Sequence, residues 1–474
     1  MRGYCAALSK DPTTKQGEII MKAKKERPFG TTSGAERLMY AVGDLGSNFV
    51  WTFCSSFLTL YYTDSVLISA GLIGTIMLIC RIFDGFSDIA AGVLIEKTQT
   101  KRGKARPWFG GTIIPLVIIQ LLVFNVPGSM SMGAKLAWVI ISYFLLTVVA
   151  YTINNLAYHA MLPRFSLDSA DRNKVSSLRG IFSFIAGLAL AILTPKLLAA
   201  NGGEKVQASW TTVALIYGVL CLVFEGICYF GVKEKISCFD EKNEAKQGTP
   251  DMKAGISALL RTKYFYITVS VFVATFIING IFLSTAVYFT RDVFGNADMY
   301  SLIAVISILV AVIVMAFSPK LFAKFGKRNV LIVSAIIGVV GGIIGYVGAK
   351  QLNAGLVFLS TALHGASLAP YVTAIFTFAS DIIEYLNLKM GQRYEGLVTS
   401  VSSIGSKIGT GLGSAILGWG LDIGGYDGAL ATQSQGALNA ETFMLFIVPS
   451  IACVVCIVAL WFWDIDKKIA ELKK

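Results

Sequence analysis

The sequence predicts an all-α integral membrane protein of twelve transmembrane helices arranged in two six-helix halves. Three observations lead there. Of 474 residues, 55% are hydrophobic and only 15% charged, against about 25% charged in an average soluble protein. The apolar residues fall into runs of about 20, the length a helix needs to cross a hydrocarbon core of about 30 Å. Lys and Arg gather in alternate loops between these runs, as they do where one side of a membrane retains positive charge.

Between the charged breaks, the first six spans fall at about 36–63, 68–95, 107–127, 134–162, 173–199 and 208–231. The second six fall at about 264–290, 297–319, 327–349, 353–383, 394–421 and 441–464. The expected organisation is a basic N-terminal segment (1–35), a first half (36–231), a basic linker (232–263), a second half (264–464) and a short tail (465–474). The loop after the second span carries Lys97, Lys101, Arg102, Lys104 and Arg106. The linker and the loop after the eighth span (Lys320, Lys324, Lys327, Arg328) are also basic, which places both termini in the cytoplasm. The basic turns after spans two and eight lie six spans apart. Such a repeat suits two halves related by an axis along the membrane normal, the major-facilitator layout.

The formal charge of +12 is spread over these loops rather than gathered in one module, so nucleic acid is not an expected partner. The eight cysteines show neither a disulfide framework nor zinc spacing, and Cys453 and Cys456 read as small helix residues. The first 29 residues lack an apolar core and do not read as a cleavable signal, and Met21 is an equally good start.

An ionisable group inside a span costs about 2.5–3.5 kcal/mol on insertion scales and is a functional candidate by default. The second span contains Arg81, Asp84, Ser87 and Asp88. Three- and seven-residue offsets put the guanidinium and both carboxylates on one helix face. Two carboxylates with hydroxyls nearby suit a small hard cation, or a proton shared because both cannot ionise cheaply. Lys407 lies about 13 residues, roughly 20 Å, into the eleventh span, too deep to reach the headgroups. Asp84 and Asp88 are its expected partners. The fourth span carries Tyr151, Thr152, Asn154, Asn155, Tyr158 and His159, the fifth carries Arg179, and the first reads GDLGSNFVW from Gly43 to Trp51. Amides, a guanidinium and aromatic rings facing one cavity are the groups a sugar requires.

At these motifs the chain resembles the glycoside–pentoside–hexuronide:cation symporters. The resemblance runs from about Arg37 to Trp463 through YAVGDLGSN, YYTD, RIFDGFSD, KTQTKRGKARPW, SDIIEYLNLKMGQRYEG and GYDGALATQSQGAL, in that order. It implies a plasma-membrane, multi-pass secondary transporter that couples sugar or glycoside to a monovalent cation by alternating access. Asp84, Asp88, Ser87 and Thr152 fall at the family's cation site, for sodium, with lithium or a proton as alternatives. Asn48, Asn155, His159 and Arg179 fall at sugar-contacting positions, beside Tyr151. Lys407 falls on the helix-eleven lysine, and Arg81, Arg393 and Glu395 on coupling or gating positions. The family's best-studied pattern has carboxylates in place of Asn48 and Asn155, a tryptophan in place of His159 and an asparagine in place of Ser87. Arg179, Lys407 and His159 then leave a more cationic cavity, which suits a hexuronide, with neutral glycosides left open. The expected partners are a sugar, the cation and membrane lipid, with a monomer as the working unit and no cofactor. A lysolipid carrier of the same fold and a non-transporting sugar sensor are the alternatives. No nucleophile–base pair, metal cluster or phosphate-binding glycine loop points to an enzyme.

Overall fold

The computed structural model describes residues 32–166, 169–235, 252–390 and 395–473. Twelve long helices account for most of them. In the first half these are α1 (Gly34–Leu60), α2 (Ala70–Lys97), α3 (Arg106–Val123), α4 (Met132–Phe165), α5 (Ser169–Ala200) and α6 (Gln207–Gly231). In the second they are α7 (Lys263–Asp292), α8 (Asp298–Phe325), α9 (Lys327–Lys350), α10 (Ala354–Met390) and α11 (Glu395–Ile423). The last, α12, runs as Gln435–Thr442, Phe443–Ile447 and Val448–Trp461 in succession. Short helices Met252–Leu260 and Ile465–Leu472 flank the second half. Among the described residues, nine helices are long and apolar enough to cross a membrane. The others of similar length, α1, α2 and α11, carry Asn48, the Arg81–Asp88 group and Lys407. Their polarity is tolerable because the polar faces turn inward rather than toward lipid.

Several helices outrun the apolar segments that announce them. α8 continues to Phe325 and α10 to Met390, beyond the expected ends near 319 and 383. Hydropathy stops where charges begin, but the backbone ladder continues into the headgroup region, where water and lipid phosphates accept those charges.

Within the first half α1 packs against α5 and α6, and α3 against α6 and α4. Within the second, α10 packs against α8 and α9, and α7 against α11 and α12. The halves meet along α2 with α11, α5 with α8, and α1 with α7. Shifting each number by six exchanges the first two pairs, which is the signature of the internal repeat. The α2–α11 crossing is close enough to need glycine. A Cβ on Gly74 would lie 3.1 Å from the Ala415 carbonyl oxygen and 3.1 Å from the Gly418 Cα.

On the face of the basic loops, the halves are tied internally. Glu234 accepts the backbone N–H groups of Lys104, Ala105 and Arg106 at 3.1, 2.9 and 2.8 Å, capping the start of α3, and pairs with Arg164 at 2.7 Å. Gly103 turns the chain into this cradle with φ of +109°, a conformation that favours glycine. Lys327 pairs with Asp381, and Lys263 with Asp464 at 2.7 Å, in the second half. On the opposite face the halves are joined to each other. Arg291 at the end of α7 holds Asp64 at 2.6 Å and Glu204 at 3.0 Å, both in the first half. Tyr426 also donates to Asp64 at 2.7 Å, and Ser69 to Asp422 at 2.7 Å. The bundle is therefore closed at the face away from the basic loops.

Asp171, in the first turn of α5, anchors the start of α1. It accepts from the Thr32 N–H (2.9 Å), the Thr32 hydroxyl (2.5 Å) and the Ser166 hydroxyl (2.8 Å), and pairs with Arg37 at 2.6 Å. Burial pushes this carboxyl up, but the Thr32 and Ser166 hydrogen bonds and the Arg37 charge outweigh it and hold it below the ordinary carboxylate value. A carboxylate lowered on folding stabilises the fold above its unfolded pKa, and that contribution disappears as pH falls through its folded pKa. Asp171→Asn is expected to cost about 2 kcal/mol at neutral pH. Thermal unfolding of wild type and variant should converge on acidification; a constant gap would refute the assignment.

Candidate cation and sugar site

The polar candidates converge where α1, α2, α4, α5 and α11 meet. Asp84 is buried on α2, one turn from Asp88, as the four-residue spacing requires. Lys407 reaches them from α11 across the boundary between the halves. Its Nζ lies 2.8 Å from Asp84 Oδ1, 2.7 Å from the Asp84 carbonyl oxygen and 2.7 Å from Asp88 Oδ1. An ammonium has three donors, and three oxygens meet them. Arg81 lies 3.4 Å from the second Asp84 oxygen and stacks its guanidinium 4.1 Å above the Trp51 ring. Two cations thus neutralise two carboxylates in a region sparsely exposed to solvent.

Thr152 completes this cluster because of a local irregularity in α4. Residues Leu145–Tyr151 form a π-helical turn, which adds a residue to the ladder and rotates the remainder of the helix. The Thr152 hydroxyl consequently sits 2.8 Å from the Thr147 carbonyl oxygen, five residues back, and 2.5 Å from Asp84 Oδ1. Ser87 joins more loosely, donating to the Asp84 carbonyl at 3.0 Å and standing 3.5 Å from the Thr152 hydroxyl. The oxygens of Asp84, Asp88, Thr152 and Ser87 form the kind of hard donor set a small cation prefers.

The sugar candidates form a second group along α1, α4 and α5. On α1, Asp44, Asn48, Trp51 and Thr52 are partly accessible and Ser55 is exposed, while Gly43, Leu45, Gly46, Ser47, Phe49, Val50 and Phe53 are buried. This spacing traces one helix face, and its polarity shows that it lines an aqueous cavity rather than lipid. Trp51 stacks on Tyr151 of α4, with ring centroids 4.4 Å apart, and the Tyr151 hydroxyl accepts from Asn155 at 2.8 Å. Arg179 of α5 stands 2.9 Å from His159 Nδ1 and 3.4 Å from Asp44 Oδ1. Asn48 donates to the Asp44 carbonyl oxygen at 2.7 Å and receives the Thr52 hydroxyl at 3.0 Å.

Asp44 is the residue that sequence reasoning passed over, and it corrects the expectation of a more cationic cavity. Arg81, Arg179 and Lys407 each face a carboxylate, from Asp84, Asp44 and the Asp84–Asp88 pair. Its signal was present in the recurrence of Asp44, Asn48 and Thr52 at four-residue intervals. Trp51 was likewise visible only as part of a motif. Arg393 lies outside the described residues; Glu395 opens α11, and its side chain lies outside them too.

Two pseudo-symmetric halves enclosing a polar, charge-balanced site at mid-membrane define a membrane carrier. A model of the family described as MFS/sugar transport protein matches residues 39–467, and the chain belongs to that family. It is a secondary active sugar transporter, not an enzyme, and the resemblance to the glycoside–pentoside–hexuronide:cation symporters holds. The isoprimeverose transporter of Lactiplantibacillus pentosus is 29% identical over 458 residues, spanning 96% of this chain and 92% of that protein. The glucuronide carrier protein homolog of Escherichia coli (strain K12) is 26% identical over 443 residues, spanning 91% of this chain and 93% of that one. The xylose transporter XylE from E. coli, in an inward open conformation, is similar in fold with a TM-score of 0.64 at 11% identity, over 90% of this chain and 95% of that one.

Removing Asp44 leaves Arg179 without its carboxylate and takes an acceptor from the cavity wall. Asp44→Asn is therefore expected to weaken sugar binding by about 10-fold or more, the scale of one charge-assisted hydrogen bond. Equilibrium binding to purified protein would measure this, and unchanged affinity would remove Asp44 from the sugar site.

Proposed function

We propose that this transporter is a cation-coupled glycoside symporter that works by alternating access, with Asp84 and Asp88 as the coupling carboxylates. The observation that carries the reading is the Lys407 ammonium held by three oxygens of Asp84 and Asp88. It occupies the place a coupling cation would take. A sodium ion, or a proton on one carboxylate, competes with Lys407 for the same oxygens, so cation binding releases a bridge that spans the halves. Thr152 and Ser87 supply further oxygens to sodium or lithium; a proton would not need them. Arg81 holds the second Asp84 oxygen in either state.

Sugar binds on the adjoining face, with Asn48, Asn155, His159, Arg179 and Tyr151 as hydrogen-bonding groups and the Trp51–Tyr151 stack against its C–H surface. Coupling is reciprocal: whatever factor the cation adds to sugar affinity, sugar adds to cation affinity. The relatives named as isoprimeverose transporter and glucuronide carrier support a glycoside cargo and leave its charge open, as does a site whose charges balance. Arg393 and Glu395 belong, in this reading, to the gate at the basic face. We read that face and both termini as cytoplasmic, because basic loops are retained on that side of a membrane, in a plasma-membrane protein that needs lipid but no second copy. The far-side closure by Arg291 then makes the structure inward-facing.

Uptake into right-side-out vesicles tests this reading, using α-galactosides, β-xylosides, β-glucosides and glucuronides with sodium, lithium or only a proton gradient. Accumulation of one class with one cation is expected. Asp84→Cys should abolish accumulation in protein that still folds and inserts, and Lys407→Val should impair it severely. Accumulation against a gradient in Asp84→Cys would overturn the cation-site assignment.

A further inference from the structure

Away from the transport site, Glu441 near the start of α12 is fully buried, with 0% of its surface exposed. Neither of its carboxyl oxygens has a hydrogen-bond donor. It faces the Asp292 carboxyl at the end of α7, with Arg291 of α7 and Asp64 of α1 as the other charges around it. From the loop after α11, Tyr426 reaches the same cluster through Arg291 and Asp64, at 2.6 and 2.7 Å. Asp422, at the end of α11, is instead turned to Ser69 of the other half.

The Asp292 oxygens are already committed. Arg291 Nε donates to one at 2.7 Å and Nη2 to the other at 2.8 Å. This fork fixes the guanidinium so that Nη1 points into the first half, where it meets Asp64 at 2.6 Å and Glu204 at 3.0 Å. Four carboxyl groups therefore surround one arginine. A buried carboxylate with no donor, set against a second carboxylate, is not compatible with this packing. A carboxylic acid is compatible, because its O–H donates to the free lone pairs of Asp292 and leaves the arginine fork undisturbed.

The geometry points to a proton-binding site on Glu441, in which the acid donates to Asp292 and thereby holds Arg291 in the lock that closes the face opposite the basic loops. The proton stays while the lock is closed and water is excluded. When that face opens, Glu441 meets water and releases its proton to the solvent there, and Asp292 and Glu441 then repel. The closed state binds the proton more tightly, so acid on that face favours closure and alkali favours opening. This site rests on alternating access but not on which sugar or cation is carried.

The test labels Thr52→Cys, on the cavity face of α1, with a membrane-impermeant maleimide applied from the face opposite the basic loops. With Glu441 intact, and rates corrected for thiol ionisation using a free thiol, labelling is expected to rise with pH on that face by up to tenfold per unit. With Glu441→Gln, which keeps a neutral donor to Asp292, it should stay at the low, acid-state rate. With Arg291→Gln it should be fast at every pH. Infrared difference spectra of Glu441→Gln against its parent should show the loss of one protonated-carboxyl band, a readout that does not require the gate to move. A flat pH profile with Glu441 intact, the same profile in Glu441→Gln, or no band lost would overturn the proton site. Absence of labelling from that face in every variant, Arg291→Gln included, would overturn alternating access itself.

Discussion

A charge at the centre of a bilayer must be compensated where it stands, and the organisation of this molecule derives from that constraint. Lys407 is too deep to reach water along its own helix, so α11 must lie against α2, where Asp84 and Asp88 receive it. That contact needs close backbones, and the glycines at the crossing supply them. The same crossing joins the halves, so the charge contact of Lys407 with Asp84 and Asp88 also spans the boundary between them. The proposed coupling rests on this contact: a ligand that changes the charge of the carboxylates would change the cohesion of the halves.

Compensation is repeated elsewhere with a different balance. In the cavity, Asp44 answers Arg179 one for one. At the closed face a single guanidinium is shared among several carboxyl groups. The first arrangement leaves room for a neutral or charged cargo to exchange hydrogen bonds without stranding a charge. In the second, carboxyl groups outnumber the one guanidinium even with a proton on Glu441, so that proton lessens the repulsion without removing the excess.

Much of this was legible in the sequence. Length and hydropathy mark the spans, and charge within a span singles out Asp84, Asp88 and Lys407, because few reasons other than function keep such groups there. Pairing across the halves was expected because Lys407, too deep to reach the headgroups, needs a compensating charge and Asp84 and Asp88 offer one in the other half. What stayed hidden depends on rotation. Asp44 lay in plain view in a recognised motif, yet which way it faces is set by how α1 packs on α5 and α6. The gathering of Asp64, Glu204, Arg291, Asp292 and Glu441 was equally unreadable. Each sits near a helix end or in a connecting turn, where a charge is commonplace, and only the tertiary fold shows that they share one space.

The π turn at Leu145–Tyr151 divides α4 into two segments whose angular settings are independent. Its first segment packs on α2 and α3, while its second carries the candidate groups Thr152, Asn155 and His159. Were the same residues wound as an unbroken α-helix, Thr152, Asn155 and His159 would swing together by about 100° relative to the first segment. The surplus residue works as a phase adjustment between two surfaces of one helix, so the site can be re-aimed in evolution without rebuilding the wall that holds it in the membrane.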